Sequence, residues 1–341
     1  MAYNPKHDKY RAKFQRANGP LVGDWDIDYS YYSPMTDGAP EDKTYPLVIT
    51  IAGALEGWAE GIEIQANEMP LWVDEIYQSR FHNGHAFMLV PRAPEEDDLY
   101  WDQSCLVDSL RAAILDFCEK HPNVDTTRIY LVGWCVGSLG VMNLASSYPE
   151  LFAAVVIMAP SRAINKSEAA RLREMPIWIM SGLFDTHTIY PFYTLPTWNR
   201  LKTYTNDVRL LRKTSFHRAV DVNFVPQVPI VLNHNFWDWA SEDLHFEGEN
   251  GHGVDHDHVL TGSYKGMRTI DGADRLIEDP YLISWLCSYT NEGRSAIREP
   301  RRNIRPSERW NSFFHETIGH NSRLLTFRAV IAIYRKLGWM E

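Results

Sequence analysis

The stretch RIYLVGWCVGSLGVMNLASSYP, residues 128–149, decides the fold of this chain. The run Arg128-Ile-Tyr-Leu-Val132, apolar after its first residue, predicts a buried strand. The segment from Val136 to Ser147, which is rich in small residues, predicts a helix. Between them, Gly133-Trp134-Cys135-Val136-Gly137 leaves room only for a sharp turn. A strand, a sharp turn and a helix in this order, with glycines around a nucleophilic side chain, are the setting of a nucleophile elbow.

The elbow makes Cys135 the candidate nucleophile. Its turn holds the nucleophile in a strained conformation, and glycines are needed where the neighbouring chain comes too close for a Cβ atom. The helix that follows favours a thiolate or an oxyanion at its start. Ser138 is the alternative nucleophile. We expect it one helical turn further on, beside the helix and not at the apex of the turn, so the sequence favours Cys135.

Other apolar segments surround the elbow in an alternating order. A helix is predicted over 104–120, where Leu106, Leu110, Ile114 and Phe117 recur at helical spacing. Strands are predicted over 46–53, 85–90, 153–158 and 176–180. Alternating strands and helices with fully apolar strands predict an α/β fold, with a mostly parallel sheet covered by helices on both faces.

The run DTTRIYLVGWCVGSLGVMNLASSYPELFAAVVIMAPS, residues 125–161, resembles the polyhydroxybutyrate-depolymerase and feruloyl-esterase-like branch of the α/β-hydrolases. The resemblance extends to PLVITIAGALEG and Trp101 upstream, and to MPIWIMSGLFD and EDPYLISWLCS downstream. It covers about residues 45–290, with 213–250 as a gap. Two positions depart from the family pattern. Cys135 replaces the usual serine, as in dienelactone hydrolases, and Ser138 replaces the second glycine of a pair.

The resemblance implies a catalytic triad in the order nucleophile, acid, histidine. It places the acid on Asp185, which ends the run from Pro176. The histidine is assigned to His252, in Asn-Gly-His-Gly, because that position matches the order of the family. Chain order leaves three alternatives open: His217, His256 and His258.

The oxyanion hole of this family pairs the amide after the nucleophile with an amide that follows an earlier strand. These amides belong to Val136 and Ala54. Ala52 replaces a histidine usual in the family, but only backbone donors are required. The stretch GHGVDHDH, residues 251–258, also raises metal binding, although its spacing matches no zinc signature. We therefore expect neither a metal nor a cofactor.

Two segments fall outside the alternating pattern. Residues 213–250 are rich in aromatic and turn residues and are expected to form a cap inserted in an α/β-hydrolase domain of residues 1–290. Residues 291–341 carry ten Arg and Lys against five Asp and Glu. This basic extension is expected to pack on the acidic domain, and the amphipathic stretch 324–337 offers a contact for a homodimer.

The composition of the chain disfavours some classes of partner and location. The net charge of −10 disfavours nucleic acid as a partner, and no apolar run reaches the length of a membrane span. The polar N-terminus and four scattered cysteines predict a reduced, cytoplasmic protein. We expect a hydrolase that cleaves a small-molecule ester, lactone or thioester through a covalent acyl-enzyme. The alternatives are an acyltransferase or cyclase using the same cysteine, and a non-catalytic binding protein on a hydrolase fold.

Overall fold

A computed structural model of the chain describes residues 8–53, 69–94, 101, 104–183, 185, 187–205, 207–213, 267–277 and 282–294. Within these residues the strands form a single ten-stranded sheet. The strands are β1 (Gln15–Asn18), β2 (Asp28–Tyr32), β3 (Tyr45–Ile51), β4 (Phe87–Pro91), β5 (Val124–Trp134), β6 (Ala154–Met158), β7 (Ile177–Gly182), β8 (Val208–Lys213), β9 (Met267–Asp271) and β10 (Leu276–Ile277).

Among the described α-helices, α1 precedes the first strand and the others connect or follow the strands. They are α1 (Asp8–Arg11), α2 (Glu75–Gln78), α3 (Ser104–Lys120), α4 (Gly137–Ser147), α5 (Lys166–Arg171), α6 (Thr194–Leu201) and α7 (Leu282–Cys287). None of the helices in this part of the chain is long and apolar enough to cross a membrane.

The sheet runs in the order β1-β2-β4-β3-β5-β6-β7-β8-β9-β10. Its six central strands, from β4 to β8, pair in parallel. An antiparallel pair closes each side: β1 and β2 next to β4, and β9 and β10 next to β8. The predicted α/β fold with a mostly parallel sheet is confirmed.

The predicted elements are present, with small shifts of their ends. Helix α3 begins and ends at the predicted residues 104 and 120. Strand β3 ends at Ile51, two residues before the predicted end, and β5 begins four residues before the predicted start. Strands β1, β2, β9 and β10 were not predicted. They lie at the sides of the sheet, where β1 and β10 are largely exposed and carry no continuous apolar run.

Each face of the sheet has its own apolar core, because successive residues of a strand point to opposite faces. On one face, Leu131 and Ile157 pack in a cluster with side chains of helices α3, α4, α5 and α6. On the other face, Val132 and Val156 pack in a cluster with side chains of α2 and α7. Helices therefore cover both faces, as predicted. Burial of both faces explains why the central strands are apolar throughout.

Residues 291–294 contact the domain. The Asn291 side-chain amide donates to the carbonyls of Thr126, Glu150 and Leu151, at 3.0–3.1 Å. The Arg294 guanidinium donates to the carbonyls of Phe152 and Ala153. The rest of the basic extension, and the predicted cap from residue 214 onward, lie outside the described residues.

Two phenylalanines allow a matched test of core packing. Phe117 of α3 is fully buried, with ring centroids 5.9 Å from Tyr29 and 6.0 Å from Phe87, whereas Phe192 is 59% exposed. Phe117→Ala should lower the free energy of unfolding by about 3–5 kcal/mol, because the cavity left behind adds to the lost transfer energy. Phe192→Ala should change it by no more than about 0.5 kcal/mol. Urea unfolding measures both, and equal midpoints for the two variants would contradict this core.

Candidate active site

Cys135 lies at the turn between β5 and α4. Its φ angle is +55°, in the left-handed region that residues other than glycine rarely adopt. Its amide donates to the carbonyl of Met158 at 3.0 Å, and its carbonyl accepts from the amide of Ser138 at 3.0 Å. The side chain is half-buried. The predicted turn is therefore present, with the strained backbone expected of an elbow.

Two glycines make the turn possible. A Cβ atom on Gly137 would lie 2.1 Å from the carbonyl oxygen of Ile51 and 2.6 Å from that of Ala52. A Cβ atom on Gly133 would lie 2.5 Å from the carbonyl oxygen of Gly137. Both contacts are with backbone atoms and are shorter than any Cβ tolerates. Only glycine allows α4 to begin this close to the ends of β3 and β5.

Ser138 is not placed as a nucleophile. It is fully buried, and its hydroxyl donates to the Cys135 carbonyl at 2.5 Å and accepts from the Ser161 amide at 3.0 Å. Both hydrogen bonds hold backbone groups. Ser138 thus supports the turn and is fully buried, whereas Cys135 is half-buried.

Asp185 follows β7 and is almost fully buried, with 1% of its surface exposed. One carboxylate oxygen accepts from the amides of His187 at 2.7 Å and Thr188 at 3.0 Å. The other accepts from the Thr188 hydroxyl at 2.5 Å. These donors come from its own loop and orient the carboxylate.

The sheet brings Cys135 and Asp185 to the same edge. Trp134, Met158 and Met180 are opposite one another at the carboxyl ends of β5, β6 and β7. Because neighbouring strands are about 4.8 Å apart, β5 and β7 are separated by about 10 Å. An imidazole with a hydrogen bond of about 3 Å on either side fits such a separation. The spacing of the strands is therefore compatible with a histidine between the two residues.

The predicted histidine, His252, and its alternatives His217, His256 and His258 lie outside the described residues. The structure describes the two residues that flank the segment containing these histidines. The chain leaves the sheet at Lys213 and returns at Met267, and these residues are directly paired between β8 and β9. Because β8 is parallel to β7, both lie at the edge that carries Asp185. The four histidines thus belong to a segment with both ends at this edge.

The predicted oxyanion hole is described only in part. Val136 lies directly before α4, with helical backbone angles of −59° and −32°. The first amides of a helix have no partner within the helix. Within the described part of the chain, the amide of Val136 makes no hydrogen bond to a backbone carbonyl. Ala54 lies outside the described residues.

The other three cysteines lie on helices α3 and α7. Burial raises the pKa of both Cys118 and Cys287 to about 11, so these two groups remain neutral thiols at neutral pH. Cys105 is exposed on α3. Among the described residues, no group of three His, Cys, Asp or Glu side chains could hold a metal ion. The stretch 251–258 is not among them.

Sequence reasoning missed Ser161 as a neighbour of the sulfur. Its hydroxyl lies 4.0 Å from the Cys135 Sγ atom. Ser161 follows β6, the strand next to β5. A polar residue directly after a strand that neighbours the nucleophile strand is the signal that could have found it.

Comparison of the sequence with protein-family models matches residues 95–199 to the dienelactone hydrolase family. The matched residues include Cys135 and Asp185 but none of the four histidines. A search of curated proteins found no match to the sequence.

Comparison with solved structures finds similar folds. A thermostable esterase is 21% identical, with a TM-score of 0.52 over 60% of this chain and 55% of the esterase. An esterase from Pyrococcus furiosus is 12% identical, with a TM-score of 0.45 over 62% of this chain and 85% of the other. An acylaminoacyl peptidase from Pyrococcus horikoshii is 13% identical, with a TM-score of 0.46 over 73% and 44%.

The matched region spans about half the length of the thermostable esterase. At this level of identity the likeness concerns the fold alone. The mostly parallel sheet with helices on both faces is that of an α/β-hydrolase. The function of this chain therefore has to be argued from the residues at the carboxyl ends of the central strands, beside Cys135.

The close contact at Gly137 can be tested against Gly140 of the same helix. Gly137→Ala should lower the free energy of unfolding by at least about 1–3 kcal/mol, because the carbonyls of Ile51 and Ala52 cannot move away from the new methyl group. At Gly140, a new Cβ atom would lie 2.8 Å from the flexible end of Ile51 and 3.0 Å from the Cβ atom of Trp101, and it would meet no backbone atom as close as those at Gly137. Gly140→Ala also gains about 1 kcal/mol of helix propensity, so its loss of stability should be smaller than that of Gly137→Ala. Urea unfolding compares them, and equal losses would refute the special role of Gly137.

Proposed function

We propose that this protein is a hydrolase that cleaves an ester, lactone or thioester of a small acyl substrate, with Cys135 as its nucleophile. The observation that supports this best is the left-handed backbone of Cys135 at a turn between a strand and a helix. A non-glycine residue is held in such a conformation only where the surrounding structure imposes it, and such strain is concentrated at functional sites. The partial match to the dienelactone hydrolase family, and the esterase among the similar folds, agree with this chemistry.

In the proposed reaction a histidine removes the proton of the Cys135 thiol. The thiolate attacks the carbonyl carbon of the substrate, and the negative charge that develops on oxygen is stabilised by the amides of Val136 and Ala54. Collapse of this intermediate expels the leaving group, which takes the proton from the histidine. A thioester between the acyl group and Cys135 remains, and water hydrolyses it.

Asp185 serves as the acid of the triad in this mechanism. Its carboxylate accepts the remaining N–H of the histidine, which fixes the tautomer and stabilises the imidazolium. Three hydrogen bonds from its own loop hold this carboxylate in place. We assign the histidine to His252, on the resemblance described above.

Cys135→Ala should lower kcat/KM for the best substrate of an ester, lactone and thioester panel by at least about 10³-fold, as loss of a triad nucleophile does. The fold should be unchanged, because alanine adopts the same backbone as readily as cysteine. Cys105→Ala, which removes the exposed thiol of α3, is the matched control and should keep wild-type activity. Wild-type turnover by Cys135→Ala would overturn the proposed nucleophile. Products formed with an added amine or alcohol show whether water or an acceptor resolves the thioester.

His252→Ala should abolish formation of the acyl-enzyme about as completely as Cys135→Ala, because the members of a triad act as a unit. His217→Ala, His256→Ala and His258→Ala should cost much less. The burst of leaving group from a chromogenic ester measures acylation in all four variants. A lost burst in His217→Ala together with a normal burst in His252→Ala would transfer the role to the residue shortly after β8.

A further inference from the structure

Ser161 belongs to the loop that follows β6, beside the elbow. The backbone turns sharply there, because Ala159 has a φ angle of +47° and donates its amide to the Met180 carbonyl at 2.8 Å. Two residues later, the Ser161 hydroxyl lies 4.0 Å from the Cys135 Sγ atom. Within the described residues, this sulfur is the one hydrogen-bond partner of that hydroxyl. Its proton is therefore not used elsewhere in this part of the structure.

Ser161 is fixed to the elbow through its backbone. Its amide donates to the hydroxyl of the buried Ser138 at 3.0 Å, and that hydroxyl donates to the Cys135 carbonyl. This bridge runs from the Ser161 backbone to the Cys135 backbone without using the Ser161 side chain. These two hydrogen bonds consequently hold the backbone of Ser161 beside that of Cys135.

The next residue fixes the loop from its other side. The Arg162 guanidinium forms two hydrogen bonds with the Glu168 carboxylate, at 2.8 and 2.6 Å, and a third with the Asn143 side chain at 2.6 Å. Asn143 in turn donates to the Trp101 carbonyl at 3.0 Å. Paired hydrogen bonds between arginine and carboxylate are geometrically specific. Ser161 is thus held between two anchored neighbours, Ser138 and Arg162.

A hydroxyl donor has more effect on a thiolate than on a thiol. Hydrogen bonds to charged acceptors are shorter and about twice as strong as those between neutral groups. A bond that is long before reaction also shortens once charge develops on the acceptor. A donor aimed at Sγ therefore lowers the free energy of the charged nucleophile relative to the neutral thiol.

We propose that Ser161 is a further catalytic residue, whose hydroxyl donates a hydrogen bond to the Cys135 sulfur and stabilises its thiolate. The catalytic part of this inference rests on the proposed function, since it requires Cys135 to be the nucleophile. The hydrogen bond itself can be tested without any substrate.

The test is the pH profile of Cys135 alkylation by iodoacetamide between pH 5 and 10. The intact, folded protein is alkylated, and mass spectrometry of the Cys135 peptide then measures the extent of reaction. The exposed Cys105 serves as the reference thiol in every sample. Ser161→Ala should shift the half-maximal pH for Cys135 upward and lower its rate at pH 7 by about five- to tenfold, since a hydrogen bond to a charged group is lost. The Cys105 profile should not move.

Two variants separate this effect from a structural one. Ser161→Thr keeps the hydroxyl and should restore the wild-type profile. Ser146→Ala removes a buried hydroxyl of α4 that donates to the Asn143 carbonyl, and it should leave the profile unchanged. If Ser161→Ala unfolds at the assay temperature, Ser161→Gly replaces it, since it also lacks the hydroxyl.

A Ser161→Ala or Ser161→Gly profile that coincides with wild type would refute the hydrogen bond, and the proposed hydrolase activity would be unaffected. An equal shift in Ser146→Ala would also refute it, because loosening of the fold would then explain the change. Full ester hydrolysis by Cys135→Ala, in contrast, would refute the proposed function while leaving the alkylation result valid.

Discussion

The approach of helix α4 to the carboxyl ends of β3 and β5 is the constraint on which the candidate site depends. Gly137 lies against the carbonyls of Ile51 and Ala52 with no space for a Cβ atom. The helix can begin there only if the residue at the turn adopts a left-handed backbone, which Cys135 does at a cost of about 1–3 kcal/mol. Hydrogen bonds to Met158 and from Ser138, together with the buried strands around them, offset that cost. The sulfur is thereby held at the edge of the sheet.

Parallel pairing then determines which other residues lie at the same edge of the sheet as the sulfur. Strands that run in the same direction end at the same edge, so whatever follows β6 and β7 is brought beside the residue that follows β5. Ser161 and Asp185 reach the edge in this way, one strand and two strands from Cys135. The antiparallel return of β9 beside β8 brings both ends of the segment with the four histidines to the same edge. Connectivity thus gathers residues that are far apart in the sequence.

The sequence predicted those elements whose structure depends on residues close together in the chain. Helix α3 agrees with its predicted ends because its apolar residues repeat at helical spacing, and the elbow agrees because its glycines have no substitute. Strands β1 and β10 escaped prediction because side strands are partly solvated and need no apolar run. The contact between Ser161 and Cys135 was not predicted because it has no local sequence pattern. It joins residues 26 apart and arises from the pairing of β5 with β6.

The same reasoning explains why the histidine of the proposed triad is harder to assign than its other two members. Cys135 and Asp185 each follow a buried central strand within five residues, so strand pairing determines their positions. The four candidate histidines lie between Lys213 and Met267, where the sheet sets only the two ends. Chain order is the same for all four of them. The assignment therefore rests on chemistry: the residue sought is the one whose loss prevents proton removal from the thiol.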